Sequence, residues 1–182
     1  MLRKQRPPKH ILFIAEKSET ANYITDVIKK SVFNPKDKVP KFTFSSEEPN
    51  FEQDLRPELL KKTDGAIFIV DSTNMDNLSS IKEFLWEVFV WNQESANIPI
   101  LILSYNAEKD IALTAAEIIE AYSLIRLTDR LWNVMEIREN KSEDILACFQ
   151  WLDNYIEVLG VKPKILKKKI VPTQIKKSND KR

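Results

Sequence analysis

The stretch that most constrains the fold runs from Gly65 to Ser72 and reads GAIFIVDS, with five apolar residues between a glycine and an acid. A continuous apolar run without alternation is typical of a strand buried on both faces of a parallel sheet. Similar runs stand at Ile11–Ala15 and Ile98–Leu103, and each is followed by a helical pattern. The three runs together indicate βαβ units, in which ligands usually bind at the carboxyl ends of the strands.

Length and composition point to one domain with a substantial core, because the chain has 182 residues of which 43% are hydrophobic. No apolar run is long enough to span a membrane, and Leu2 stands where myristoylation requires glycine. We therefore expect no transmembrane segment and no lipid anchor. The single Cys148 excludes an intramolecular disulfide, which predicts a cytoplasmic location, with the nucleus as the alternative.

Charge divides the chain into three parts. The first nine residues carry four basic side chains and no acid, and the residues from Gly160 onward carry nine basic side chains and one acid. The segment between them is therefore strongly acidic although the net charge is +1. We predict a basic arm over residues 1–8, a folded domain over 9–159 and a basic tail over 160–182.

The basic tail could be solvated, or it could bind an acidic protein surface, acidic lipid or nucleic acid, or serve as a nuclear import signal. No aromatic residue interrupts its lysines, so base stacking has no support in the sequence. The candidate binding residues of the tail are Lys167, Lys168, Lys169, Lys176 and Lys177.

The periodicity predicts five strands that alternate with five helices. The strands are expected at Lys9–Ala15, Lys38–Ser45, Gly65–Asp71, Ile98–Leu103 and Arg130–Arg138. The helices are expected at about 18–32, 51–62, 76–92, 112–122 and 142–159. The second strand is placed at an edge of the sheet because Pro40 cannot donate to a ladder. Right-handed crossovers then predict a three-layer α/β sandwich with the strand order 2-1-3-4-5.

Five segments stand in an order and spacing that are typical of one protein family. They are Thr63–Ser72, Ile98–Asn106 (IPILILSYN), Ala115–Ile118, Asp129–Trp132 and Phe149–Leu152. Together they resemble the Arf/Arl branch of the Ras-like small GTPases over roughly half of the chain. The resemblance implies a P-loop-type fold with about five mostly parallel strands and, in the usual members, a bound guanine nucleotide with magnesium.

The functional motifs of that family are not matched here. Where the family has GxxxxGK[ST], whose glycines let backbone amides wrap phosphates, Ala15–Asn22 reads AEKSETAN. Where it has WDxxGQ, Phe44–Pro49 reads FSSEEP, and the guanine-reading NKxD corresponds to Asn106–Lys109, which reads NAEK. The loop that should read CAT or SAK is Arg138–Asn140, and the first switch is shortened between Val32 and Lys38. These departures predict a domain that is not an enzyme, with no catalytic, cofactor-binding or metal-binding residues.

Other kinds of site are less well supported. A phosphoacceptor receiver domain has the same strand order, and Glu16, Asp71, Ser104 and Lys141 match its functional positions in part. We favour the simpler interpretation that Asp71 caps the loop that follows its strand. His10 is the only histidine, so a zinc site of the usual ligand type is excluded.

The helix Ile81–Asn92 (IKEFLWEVFVWN) carries more apolar surface than one core face needs. At about 100° per residue, Trp86 and Val90 fall opposite the core face and Trp91 falls on the flank. Such residues on a surface helix are typical of a protein-binding hot spot. The alternative is that the long arms or the helix at 51–62 cover them.

The sequence as a whole therefore predicts a non-catalytic, small-GTPase-like protein that serves as an interaction or scaffold subunit of a larger complex. Its protein partner would bind at Trp86, Val90 and Trp91. One alternative is a degenerate Arf-like GTPase that still binds guanine nucleotide. Another is a nucleic-acid-associated protein that acts through its basic tails.

Overall fold

The structure is a computed structural model, and it describes residues 7–16, 18–32, 41–50, 55–138 and 141–160. Five parallel strands form one sheet in the order β2-β1-β3-β4-β5. Their bounds are Lys9–Ala15 (β1), Phe42–Glu47 (β2), Gly65–Asp71 (β3), Ile100–Tyr105 (β4) and Trp132–Ile137 (β5). The predicted fold class and strand order are confirmed.

Helices follow the strands in the alternation that was predicted. They are Ser18–Val32 (α1), Pro57–Lys62 (α2), Met75–Glu83 (α3), Ala115–Ala121 (α4) and Ser142–Gly160 (α5). A π-helical segment, Phe84–Val90, continues α3 without a break, and short 3₁₀ turns lie at Gln93–Ser95 and Leu124–Arg126.

Both faces of the sheet are buried. The side chains of β1, β3 and β4 point alternately to two separate cores, one shared with α1 and α5 and the other with α2, α3, the π-helical segment and α4. Phe13 and Ile67 lie in the first core, and Leu12 and Phe68 lie in the second. This two-sided burial explains why the strands read as continuous apolar runs rather than alternating ones.

Some helix boundaries differ from the prediction. The second helix begins at Pro57 rather than at 51, because a proline without an N–H suits the first helical position; residues 51–54 lie outside the described residues. The fourth begins after Thr114 rather than at 112. Thr114 and Glu117 form a capping box there, in which each side chain accepts a hydrogen bond from the other residue's backbone N–H.

The second strand starts at Phe42, and no other described strand pairs with its outer side. The predicted residues 38–40 of this strand and the shortened first switch lie outside the described residues. Most of the basic arm and residues 161–182 of the basic tail lie outside them too, so the binding roles predicted for the tail lysines stay predictions. None of the helices in the described ranges is both long and apolar enough to cross a bilayer.

Candidate functional site

A groove of about 390 Å³ lies between the helix formed by α3 with its π-helical extension and the 3₁₀ turn after α4. We call it the tryptophan groove. It is lined by Ser79, Lys82, Glu83, Trp86, Glu87, Trp91, Ser123 and Arg126. The groove thus brings together two of the three protein-binding candidates and surrounds them with polar and charged side chains.

Trp86 is half-buried and held in place from two sides. Its indole Nε1 donates a hydrogen bond to the carbonyl oxygen of Tyr122 at 2.7 Å. The guanidinium of Arg126 lies 5.6 Å from the centre of the indole ring, within the range of a cation–π contact. The hydrogen bond to Tyr122 joins the π-helical segment to the end of α4, so the aromatic wall formed by Trp86 has a fixed position.

Trp91 is the exposed member of the pair, with 68% of its surface accessible. Its backbone N–H donates to the carbonyl of Trp86 at 3.2 Å, an i→i+5 bond of the π type. One π turn therefore separates the two tryptophans, and both line the groove.

The orientation expected for this helix was wrong. Trp86 and Val90 are half-buried and pack against the core rather than lying opposite it, and Trp91 is exposed rather than on the flank. The cause is the π-helical segment, in which each residue turns the chain through less than the 100° that the prediction assumed. A π turn leaves no clear mark in a hydrophobic pattern, so the sequence offered little warning of it.

The prediction also missed Arg130, which anchors the end of the π-helical segment. Only 1% of its side chain is accessible. Its guanidinium donates to the carbonyl oxygens of Ser95 at 3.1 Å and Val90 at 3.4 Å, and it pairs with Asp129 at 2.8 Å. This arginine therefore fixes the backbone directly before Trp91. An arginine beside an acid at the start of a predicted strand was the only available signal, and in the structure Arg130 precedes β5.

A second polar cluster lies at the carboxyl edge of the sheet, where β3 and β4 end. Asp71 Oδ1 accepts hydrogen bonds from the backbone N–H of Thr73 at 3.0 Å, from its hydroxyl at 2.7 Å, and from Asn106 Nδ2 at 3.1 Å. The interpretation that Asp71 caps its loop is therefore confirmed. Asn106 directly follows β4 and has a φ of 63°, a left-handed conformation that asparagine tolerates better than most residues.

His10 lies on β1 and does not line the tryptophan groove. His10 is buried, and its ring nitrogens lie 2.8 Å from Thr43 Oγ1 and 2.9 Å from Ser45 Oγ. Burial, reinforced by Lys62, lowers the pKa of His10 below its usual value. No group of three or more His, Cys, Asp or Glu side chains that could hold a metal ion occurs in the described ranges.

Comparison with known proteins identifies the family. The sequence profile of the ADP-ribosylation factor family matches residues 53–156, which is more than half of the chain. The chain belongs to the ADP-ribosylation factor family. The expected Arf/Arl resemblance is therefore confirmed, and the parallel sheet with helices on both faces is the Ras-like α/β architecture of small GTPases.

Individual Arf relatives match over about half of the chain. ADP-ribosylation factor K of Dictyostelium discoideum is 30% identical over 92 residues, which cover 50% of this chain and 48% of the relative. ADP-ribosylation factor-like protein 1 of Saccharomyces cerevisiae is 28% identical over 95 residues, which cover 52% and 51%. The chain thus spans about half the length of the curated relatives it matches.

Family membership corrects one expectation. The prediction that the chain is not an enzyme is wrong, because the chain matches the Arf family, whose members are small GTPases. The prediction relied on motifs in β1, α1 and β2 as well as later loops. The family match begins at residue 53, after those three elements.

Proposed function

We propose that this Arf-family domain acts by binding a protein partner in the tryptophan groove. The observation that carries the proposal is the pair of tryptophans on one wall, with Trp86 fixed and Trp91 largely exposed. Tryptophan and arginine are among the side chains most often responsible for binding energy at protein interfaces, and Arg126 makes a cation–π contact with Trp86.

The groove is also well suited to binding because little of it must be ordered first. The Trp86 indole is tied to Tyr122, and Arg130 holds the backbone that precedes Trp91. A surface that is already in its binding conformation loses less conformational entropy when a partner binds. The charged rim formed by Lys82, Glu83, Glu87 and Arg126 would set the orientation of the partner.

Affinity purification with mass spectrometry tests this function. Trp91→Glu should lose its partners, because truncating a hot-spot tryptophan weakens binding by about 30-fold or more. Ile111→Glu is the matched control, since Ile111 is 76% exposed and does not line the groove. Partners that are retained equally by both variants would refute the proposal.

Guanine nucleotide binding at the carboxyl edge is a second function, favoured by the placement of Asn106. This residue stands where the family's guanine-reading motif begins, directly after β4, and its amide contacts Asp71. Nucleotide in hundredfold excess over its dissociation constant would stabilise the fold by about 2.7 kcal/mol. Thermal unfolding with GTP or GDP and magnesium measures this effect, and phosphate release measures turnover.

The matched variants for this test are Asn106→Gly and Asn97→Gly. Both asparagines have a positive φ, of 63° and 67°, so glycine replaces either one without backbone strain. Asn106→Gly should reduce the stabilisation by nucleotide, and Asn97→Gly should leave it unchanged. If the unmodified chain shows no stabilisation with either nucleotide, this second function is excluded.

A further inference from the structure

We propose that the partner that binds in the tryptophan groove is a second copy of this chain, so that the protein forms a two-fold symmetric dimer through this surface. The inference rests on the proposed function, which it deepens by naming the partner.

The rim of the groove carries both signs of charge in equal number. Lys82 and Arg126 are basic, Glu83 and Glu87 are acidic, and all four are exposed. A two-fold interface places a patch against an identical patch, so every charge must find its opposite within the same set of residues. A patch of one sign would repel its copy, whereas this balanced patch is complementary to itself.

The positions along the helix allow the charges to pair. A two-fold axis perpendicular to two neighbouring helices makes them antiparallel, so residues before the axis on one copy face residues after it on the other. Phe84 and Leu85 themselves face the core. If the axis crosses the outer side of the helix at their height, Lys82 of each copy faces Glu87 of the other. The interface would therefore contain this ion pair twice.

The apolar surface beside these charges supports the same arrangement. Trp91 has 68% of its surface exposed and stands one π turn from Trp86 on the same wall. Tryptophan is enriched at protein interfaces relative to the rest of the protein surface. In the dimer, each Trp91 would be covered by the opposite copy.

Sedimentation velocity of the full chain over a range of concentrations tests the proposal. The unmodified protein should sediment as a dimer, and Trp91→Ser should raise the dissociation constant by about 30-fold. Ile111→Ser, on a similarly exposed residue outside the groove, should leave the constant unchanged. Circular dichroism of each variant establishes that it is folded.

Charge reversal distinguishes a symmetric pair from a general loss of surface. Lys82→Glu should be monomeric because the introduced carboxylate would face Glu87 in both symmetric contacts, and Glu87→Lys should be monomeric because two basic side chains would then face each other. An equimolar mixture of the two variants should form a heterodimer. One of its two contacts joins the native Lys82 of one copy to the native Glu87 of the other. The second contact joins the two introduced side chains, which are opposite in sign. The double variant should form a homodimer again, because both of its contacts join opposite charges. Failure of the double variant to dimerise would overturn the proposed pairing.

The result also separates this inference from the proposed function. A monomeric wild type whose Trp91-dependent binding to another protein persists would overturn the dimer and leave the partner-binding function standing. A monomeric wild type without such a partner would refute both. A dimer that is unaffected by Trp91→Ser would show that the copies associate through another surface, which also contradicts the inference.

Discussion

Replacing Gly65 by alanine tests how closely α5 packs on the central strand. Gly65 begins β3, and a Cβ atom at this position would lie 2.8 Å from Ile156 Cδ1 and 3.2 Å from both terminal methyl carbons of Leu152. Real Cβ atoms essentially never make a contact as short as the first of these. Both neighbours belong to the buried core, so relief of this contact requires their side chains to shift within the packed interior.

The expected effect follows from two opposing terms. Overpacking a core typically destabilises it by about 1–3 kcal/mol. The lower part of that range applies here because the closest atom, Ile156 Cδ1, is the end of a flexible side chain. Alanine also reduces the entropy of the unfolded chain, which restores about 0.4–1 kcal/mol. We expect Gly65→Ala to lower the free energy of unfolding by about 1 kcal/mol, or Tm by about 2–4 °C.

Urea unfolding of a double-mutant cycle isolates this contact. Ile156→Val removes the Cδ1 methyl and should by itself cost about 0.5–1.5 kcal/mol. In the Gly65→Ala background the same change should cost less, because it also relieves the clash, and we expect a coupling of about 1 kcal/mol. Effects that simply add, to within about 0.5 kcal/mol, would refute the reasoning.

Three further outcomes are expected. Burial and Lys62 lower the pKa of His10 from 6.5, so its contribution to stability is complete above pH 6.5 and is lost as the pH falls through the folded-state pKa. In urea unfolding at a series of pH values, His10→Gln should therefore lose less stability on acidification than the unmodified chain. Identical pH dependence of the two proteins would contradict this. Burial raises the pKa of Cys148 to about 12, so a thiol reagent should label it only as fast as the fold opens, and rapid labelling of the native protein would be inconsistent. Thr114→Ala should lower the free energy of unfolding by about 1 kcal/mol through loss of the capping box with Glu117. Thr114→Ser should retain most of that stability, because serine keeps the hydroxyl. Equal losses for the two variants in thermal unfolding would exclude the cap as the cause.

The order of the sheet was predictable because burial on both faces leaves a simple record in the sequence. Gly65–Asp71 must be apolar at nearly every position to face two cores, and its predicted and observed bounds agree. Lys9–Ala15 agrees as well. Right-handed crossovers then allow few arrangements of such strands.

The tryptophan groove was predictable only in part. The excess of apolar residues on one helix led to Trp86 and Trp91, which both line the groove, and their role in binding a partner stays a prediction. Their common wall depends on the i→i+5 bond between them, and the fixed orientation of Trp86 depends on the carbonyl of Tyr122, 36 residues further along the chain. Neither contact is encoded by local periodicity, so a 100° helical projection placed the side chains incorrectly.

The amino-acid sequence by itself determined which segments are buried, how they alternate and which family the chain resembles, because these properties depend on local composition and on the spacing of apolar residues. Tertiary structure alone decided which distant polar groups became partners. Arg130 meets the carbonyls of Ser95 and Val90, and Asn106 meets Asp71. These contacts join residues that are 35 to 40 positions apart in the chain, and they form only when the packed sheet and helices bring them together.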